Sequence, residues 1–200
     1  MRTIILTKAP VEGHVKTRLT PVFTAKEATS IHIKMIETVL TNVCNLFDDV
    51  WLAADNINHP YFKDITKRFN VMIKEQGSGD LGVRLRRLQK LSFDQDESPI
   101  MFLGTDSPHA PKARYTETLV NIKTQDVVIG PVEDGGYDLI AMRTFYPGIF
   151  ENISWGTEFV YSQTVNYINT LGLSVHELNT SFDLDRPEDI QRAPIETWTV

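Results

Sequence analysis

Short apolar runs alternate with stretches of helical spacing along almost the whole chain, and this alternation leaves few folds open. Residues 3–7, 50–54, 71–75, 99–103, 126–130, 137–142 and 173–178 each read as a strand, brief, apolar and bounded by turn residues. Helical patterns lie between most of them. Thr24-Ala25-Lys26-Glu27 forms a capping box, in which the hydroxyl and the carboxylate satisfy open N–H groups. It opens a helix with apolar positions Ala28, Ile31, Met35, Val39, Val43 and Leu46, spaced by three and four. Residues 59–69 predict a shorter helix. Asp80 reads as an N-cap before Leu81, Leu85, Leu88 and Leu91. Further helices are expected near Pro111, from Thr157 (with Val160, Thr164, Ile168 and Leu171) to a stop at Gly172, and from Pro187.

Strands alternating with helices build βαβ units. The predicted architecture is therefore α/β, a three-layer α/β/α arrangement around a mixed, mostly parallel sheet. A chain of 200 residues is expected to form one domain, residues 1–200. In such sheets ligands bind outside the carboxyl ends of the strands. The loops 8–18, 77–80 and 104–108 fall at those ends, and the Gly-Gly loop 133–137 lies between two strands.

Composition removes several function classes. With 42% hydrophobic residues the chain carries a real core, and a net charge of −6 argues against general binding of nucleic acid or an anionic membrane surface. Cys44 is the single cysteine, so an internal disulfide and a four-cysteine zinc site are both impossible. The first apolar run is too short for a signal peptide or a membrane span, so a cytoplasmic location is expected. The five histidines have no metal-ligand spacing; His14 and His109 fall in candidate loops, and His32 reads as structural. No Gly-x-Ser-x-Gly elbow is present to suggest a triad hydrolase.

Four stretches carry chemistry. Lys8, Lys16 and Arg18 place three cations around Gly13 and Thr17 in one loop of an acidic chain. Cations and open N–H groups at a strand end suit a diphosphate, although a solvated loop has the same composition. Gly104-Thr105-Asp106-Ser107-Pro108 follows a buried strand directly. Asp106 there is either a ligand for Mg²⁺ or Mn²⁺ or the closing residue of an Asx turn. In 130–139, Asp134 is a candidate base or anchor for an acceptor, beside Gly135, Gly136 and Tyr137, while the glycines equally fit a hairpin turn. In an extended segment Asp183 and Asp185 point to one side and could share a cation with Asp106. They could equally precede a Pro-started helix whose positive end suits acidic residues. Trp155, before Thr157, reads as a packing residue or as the wall of an acceptor pocket.

Six motifs in order make the chain similar to a known family. They are Lys8-x-Pro10-x-x-Gly13-x-Val15-Lys16-Thr17-Arg18-Leu19, Gln76-Gly77-x-Gly79-Asp80-Leu81-Gly82, Gly104-Thr105-Asp106-Ser107-Pro108, Gly130-Pro131-x-x-Asp134-Gly135-Gly136-Tyr137, Trp155-Gly156-Thr157 and Asp183-x-Asp185-x-Pro187-Glu188-Asp189. The chain resembles the small bacterial proteins of the nucleotide-diphospho-sugar transferase superfamily, which have a GT-A fold. These include glycosyltransferase-like domains of unknown function and selenodomain-associated transferases. Related nucleotidyltransferases, among them the guanylyltransferases of 2-phospholactate, share the Lys-Thr-Arg-Leu and Gly-x-Asp elements. Two features depart from the wider superfamily: Gly13 stands alone where pyrophosphorylases carry a Gly-Gly-x-Gly-x-Arg loop, and residues 105–108 offer one carboxylate rather than Asp-x-Asp.

The resemblance implies a nucleotide site formed by Lys8, Gly13, Lys16, Thr17, Arg18, Gly79, Asp80, Gly104 and Thr105. It also implies Mg²⁺ or Mn²⁺ on Asp106, with Asp183 and Asp185. The expected activity is metal-assisted transfer from a nucleotide-activated donor to a small-molecule acceptor. Lys16 and Arg18 would stabilise the leaving charge; Asp134 would serve the acceptor beside Gly135, Gly136, Tyr137 and Trp155. A glycosyltransferase using a nucleotide-diphospho-sugar leads. A nucleotidyltransferase releasing pyrophosphate uses almost the same inventory. A non-catalytic nucleotide-binding protein is the third reading. The sequence does not report the base, the acceptor or the oligomeric state.

Overall fold

The computed structural model describes residues 1–95 and 99–198. Seven strands form one sheet: β1 (Arg2–Thr7), β2 (Val50–Ala54), β3 (Met72–Glu75), β4 (Ile100–Leu103), β5 (Val127–Pro131), β6 (Tyr137–Met142) and β7 (Val175–Glu177). Their order is β3-β2-β1-β4-β6-β5-β7. Neighbours run parallel except at β6, which is antiparallel to both β4 and β5. The expected mixed, mostly parallel sheet is present. Among the described residues seven α-helices accompany it: α1 (Ala25–Cys44), α2 (Pro60–Arg68), α3 (Leu81–Phe93), α4 (Lys112–Asn121), α5 (Val160–Thr170), α6 (Pro187–Arg192) and α7 (Ile195–Trp198).

The local signals act as the sequence suggests at two helix starts. The Thr24 hydroxyl accepts the Glu27 N–H at 3.2 Å, and the Glu27 carboxylate accepts the Thr24 N–H at 2.8 Å. Asp80 accepts the Val83 N–H at 2.9 Å and starts α3. Thr157 departs from expectation. Its hydroxyl donates to the Ser154 carbonyl at 2.7 Å, and the N-cap of α5 is Phe159, without a side-chain bond. Gln163 reaches back to accept the Ser154 N–H at 2.7 Å, so the preceding turn is closed by side chains before the helix begins. The terminal helix α7 has no signal of its own; it forms because Trp198 is buried and its indole N–H donates to Ala193 at 2.9 Å.

Alternation of side chains along the strands divides the core in two. One face carries Ile5, Leu52, Met101, Leu103, Val128 and Ala141 against Ile36, Val39 and Leu40 of α1, with α2 and α4 beside it. The other carries Ile4, Trp51, Phe102, Ile129 and Ile140 against Leu85 and Leu88 of α3, with Phe150 and Ile168. Together these make the α/β/α layers. A third apolar cluster joins Leu19, Ala28, Ile31 and Met35 to Leu184, Ala193 and Trp198. It ties the loop after β1 to the C-terminal segment, across more than 160 positions of chain.

Connections leave β1 toward β2 on one side, while β4 pairs on its other side. A crevice therefore opens beyond the carboxyl ends of β1 and β4, the place where a strand order reverses. On the far side of the sheet Gly82 allows α3 to approach Phe150 and Trp155. A Cβ at Gly82 would lie 2.5 Å from the Phe150 carbonyl oxygen and 2.6 Å from Trp155 Nε1. Gly82→Ala is expected to cost about 1–3 kcal/mol through overpacking. Thermal denaturation checks this, and an unchanged melting temperature would show that the two segments part freely.

Candidate functional site

A cavity of 680 Å³ occupies this crevice. The loop after β1 contributes Lys8, His14, Lys16, Thr17 and Arg18; the turn after β4 contributes Gly104, Thr105 and Asp106. The start of β6 adds Tyr137 and Asp138, and the C-terminal segment adds Asp183 and Asp185. Gln76 and Arg84 close the side nearest α3.

Lys16 is the centre of the arrangement. Buried Val15 and Leu19 fix its loop from both sides. The residue itself adopts a left-handed conformation (φ 46°, ψ 38°), and a single 3₁₀ turn, Thr17–Leu19, follows. Its ammonium lies 2.7 Å from Asp106 Oδ1 and 2.7 Å from Asp185 Oδ1, and donates to the Leu184 carbonyl at 2.9 Å. Burial opposes the charged form of Lys16, but Asp106 and Asp185 outweigh it and raise its pKa. Likewise burial works against ionisation of Asp106, yet Lys16 holds that carboxyl below the usual range. Arg18 reaches the second oxygen of Asp185 at 3.2 Å from an exposed position.

The C-terminal segment is clamped to the end of β4. Leu184 N–H donates to the Asp106 carbonyl at 2.8 Å. The Ser107 hydroxyl lies 2.7 Å from Asp183 Oδ1 and 3.0 Å from the Phe182 carbonyl. Burial, together with the charges of Asp106, Asp138 and Asp185, pushes the Asp183 carboxyl up to about 7.

Several residues that shape the cavity are not among the expected site residues. Arg114 of α4 bonds Asp138 Oδ1 at 2.7 Å and the Asn179 carbonyl at 2.6 Å, and both members of this ion pair are 7% exposed. Buried Gln76 donates to the Thr7 and Ala53 carbonyls, each at 2.8 Å, and accepts from Arg84 at 3.2 Å. Arg87 holds the Gln76 carbonyl at 2.6 Å. His32, expected to be only structural, also lines the cavity. Its Nε2 donates to the Lys8 carbonyl at 3.1 Å, and burial lowers its pKa. The one advance signal for Arg114 and His32 is a polar side chain on the inward face of an amphipathic helix.

Not every expected residue reaches the cavity. Lys8, Lys16, Thr17, Arg18, Gly104, Thr105, Asp106, Tyr137, Asp183 and Asp185 line it. Gly13, Gly79, Asp80, Asp134, Gly135, Gly136 and Trp155 do not. Asp80 is spent on capping α3. Asp134, expected at the acceptor, instead accepts the Gly136 N–H at 2.9 Å and closes its own turn. Gly135 has φ +87°, and a Cβ there would strike the Glu158 backbone, so its role is conformational. Trp155 packs edge-on to Tyr137 behind the cavity wall.

A divalent cation is implied by the resemblance, and the donor set suits one. Asp106, Asp183 and Asp185 supply hard carboxylate oxygens. A positive charge, that of Lys16, already stands between two of them. In this arrangement no three His, Cys, Asp or Glu groups among the described residues are gathered to share one ion.

The same fold is found in solved structures. A candidate nucleotide-diphospho-sugar transferase from Desulfovibrio desulfuricans G20 is 26% identical, with a TM-score of 0.85 over 98% of this chain and 93% of that one. The 4-diphosphocytidyl-2C-methyl-D-erythritol synthase of Anaerococcus prevotii DSM 20548 is 12% identical, with a TM-score of 0.62 over 96% and 94%. A nucleotidyl transferase from Methanothermobacter thermautotroptrophicus is also 12% identical, with a TM-score of 0.62 over 98% and 97%. The fold is that of the nucleotide-diphospho-sugar transferases. Residues 40–157 match the family of uncharacterised proteins conserved in bacteria, DUF2064, and the chain belongs to that family. No curated protein matches the sequence.

Two stability measurements follow from the buried charges. Arg114→Met leaves Asp138 buried and unpaired, and is expected to cost about 3–5 kcal/mol in denaturant unfolding. Asp183, with an ordinary value of 3.8 and about 7 in the fold, binds its proton more tightly when folded. The resulting stability is present below pH 4 and is lost as pH rises through 7. Asp183→Asn should therefore flatten the fall in melting temperature between pH 5 and pH 8, and should be the more stable form at pH 8 by about 1–2 kcal/mol. Parallel profiles for both proteins would contradict this.

Proposed function

We propose that the protein is a nucleotidyltransferase, which moves a nucleoside monophosphate from a nucleoside triphosphate to a small acceptor and releases pyrophosphate. The observation that carries this reading is the loop after β1, whose Lys8, Lys16 and Arg18 all line the cavity at the ends of β1 and β4. A triphosphate brings more negative charge than a nucleotide sugar, and its leaving pyrophosphate develops more still. Three cations on one loop suit that load.

In this reading an acceptor oxygen attacks the α-phosphorus, the bond from that phosphorus to the bridging oxygen breaks, and pyrophosphate departs. Lys8 and Arg18, the exposed cations of the loop, would bind the β- and γ-phosphates. The planar fork of Arg18 can hold two oxygens at once. Asp106, with Asp183 or Asp185, would hold Mg²⁺ or Mn²⁺, which when bound neutralises phosphate charge and polarises the phosphoryl group. The acceptor would approach over Tyr137 and Asp138, on the opposite side from Gln76. Because Asp134 is engaged in its turn, an acceptor whose attacking oxygen is already ionised fits better than one that must be deprotonated.

Glycosyl transfer from a nucleotide-diphospho-sugar is the second reading, supported by the likeness at 26% identity to a candidate transferase of that kind. The two differ in product. Incubation with each nucleoside triphosphate and each nucleotide sugar, with Mn²⁺ or Mg²⁺ and a panel of phosphorylated and carboxylated acceptors, should release pyrophosphate under the first reading. Release of nucleoside diphosphate would establish the second. Binding of nucleotide without either product would leave a non-catalytic nucleotide-binding protein. Arg18→Met, at a side chain 66% exposed, should leave the fold intact and lower turnover about 100-fold. Full activity in that variant would remove Arg18 from the site.

Among the described residues no helix is long and apolar enough to cross a membrane.

A further inference from the structure

The position between Asp106 and Asp185 is held by a cation that belongs to the chain itself. An ammonium group has three N–H bonds, and that of Lys16 has three acceptors: Asp106 Oδ1 and Asp185 Oδ1 at 2.7 Å, and the Leu184 carbonyl at 2.9 Å. Two carboxylates and a backbone carbonyl are also what a hard divalent cation takes as ligands. The Lys16 side chain is 6% exposed, yet Asp106 is 45% exposed and faces the cavity. An ion can therefore reach these carboxylates from solvent, while the ammonium lies behind them. Lys16 is also the one cation of its loop buried in this way, since Lys8 and Arg18 are exposed.

Resting on the transferase reading above, we propose that Lys16 is a displaceable counter-ion. A divalent cation and the Lys16 ammonium compete for Asp106 and Asp185, and the amine freed by the metal turns into the cavity to meet the donor's phosphates. A compact ammonium on a flexible four-carbon stem can make that move without a change in the backbone. Two consequences follow. Metal alone binds weakly, because it must break two ion pairs that are already satisfied. Metal and nucleotide strengthen each other's binding, because the metal releases a cation that the phosphates then engage, and such coupling is reciprocal.

The test uses the full chain and needs no substrate. Lysine acylation by an amine-reactive ester, read by peptide mass spectrometry, should find Lys16 protected without metal and exposed Lys8 labelled. Mn²⁺ at constant ionic strength should raise labelling of Lys16 severalfold and leave Lys8 within twofold. In parallel, free Mn²⁺ is measured by electron paramagnetic resonance against wild type, Lys16→Met and Lys8→Met. Lys16→Met should bind Mn²⁺ at least tenfold more tightly than wild type, and Lys8→Met less than threefold more tightly. If Lys16→Met does not fold, the labelling experiment on the wild type decides.

Lys16 labelling that ignores bound Mn²⁺ would overturn the exchange. So would a Lys16→Met protein that binds no more tightly, an equal gain in Lys8→Met, or no Mn²⁺ binding to any of the three at millimolar concentration. Pyrophosphate release alongside such a result leaves the nucleotidyltransferase reading standing without the exchange. Unmasking of Lys16 without product from any donor does the reverse.

Discussion

An ammonium buried between two carboxylates joins the first loop of this protein to its last extended segment. Lys16 lies at position 16 and Asp185 at position 185, yet their charged atoms are 2.7 Å apart, and Asp106 from the middle of the chain completes the set. Ion pairs at a surface contribute little to stability, and burial of charge carries a desolvation cost. This set does not act alone. The apolar cluster of Leu19, Met35, Leu184 and Trp198 lies beside it and supplies the burial that brings the two segments into contact. The carboxylates then make the contact specific, because only one alignment of the loop satisfies all three N–H bonds of Lys16.

The same logic runs around the rest of the cavity. Arg114 is buried with Asp138, and its remaining N–H groups reach the carbonyls of Asn179 and Pro131. Gln76 is buried with its amide shared between two strand-end carbonyls. The partners of Arg114 and Gln76 belong to different elements of the fold. The cavity walls are thus held by hydrogen bonds that cross the sheet order. A polar frame of this kind fixes where the cavity's charged groups stand. The seven-stranded sheet sets the position of the frame, since the crevice exists only where β1 turns one way to β2 and the other way to β4.

Much of the architecture is legible from local pattern. All seven strands announce themselves as short apolar runs, α1, α3 and α5 through apolar spacing, α1 and α3 also through their caps, and α4 and α6 through the prolines at their starts, because these signals act over a few residues. The β1 loop, Gly104–Asp106 and the 183–185 segment are legible as loops at strand ends, and all three line the cavity. Asp134 and Trp155 do not line the cavity, and their residue types alone do not foretell that. A carboxylate beside two glycines serves a turn as well as it serves a ligand, and one oxygen of Asp134 accepts the Gly136 N–H. Thr157 misleads in the same way, its hydroxyl being taken by Ser154.

By itself the sequence determined the class of fold, the position of the strand-end loops and the charged residue types they carry. These depend on neighbours close in the chain. Tertiary structure decided which of those residues meet. It placed Lys16 between Asp106 and Asp185 and drew Arg114 and His32 inward from helix faces. Such choices depend on contacts between residues tens to more than a hundred positions apart. They rest on burial and on the need to pair every buried charge, neither of which has a local signature.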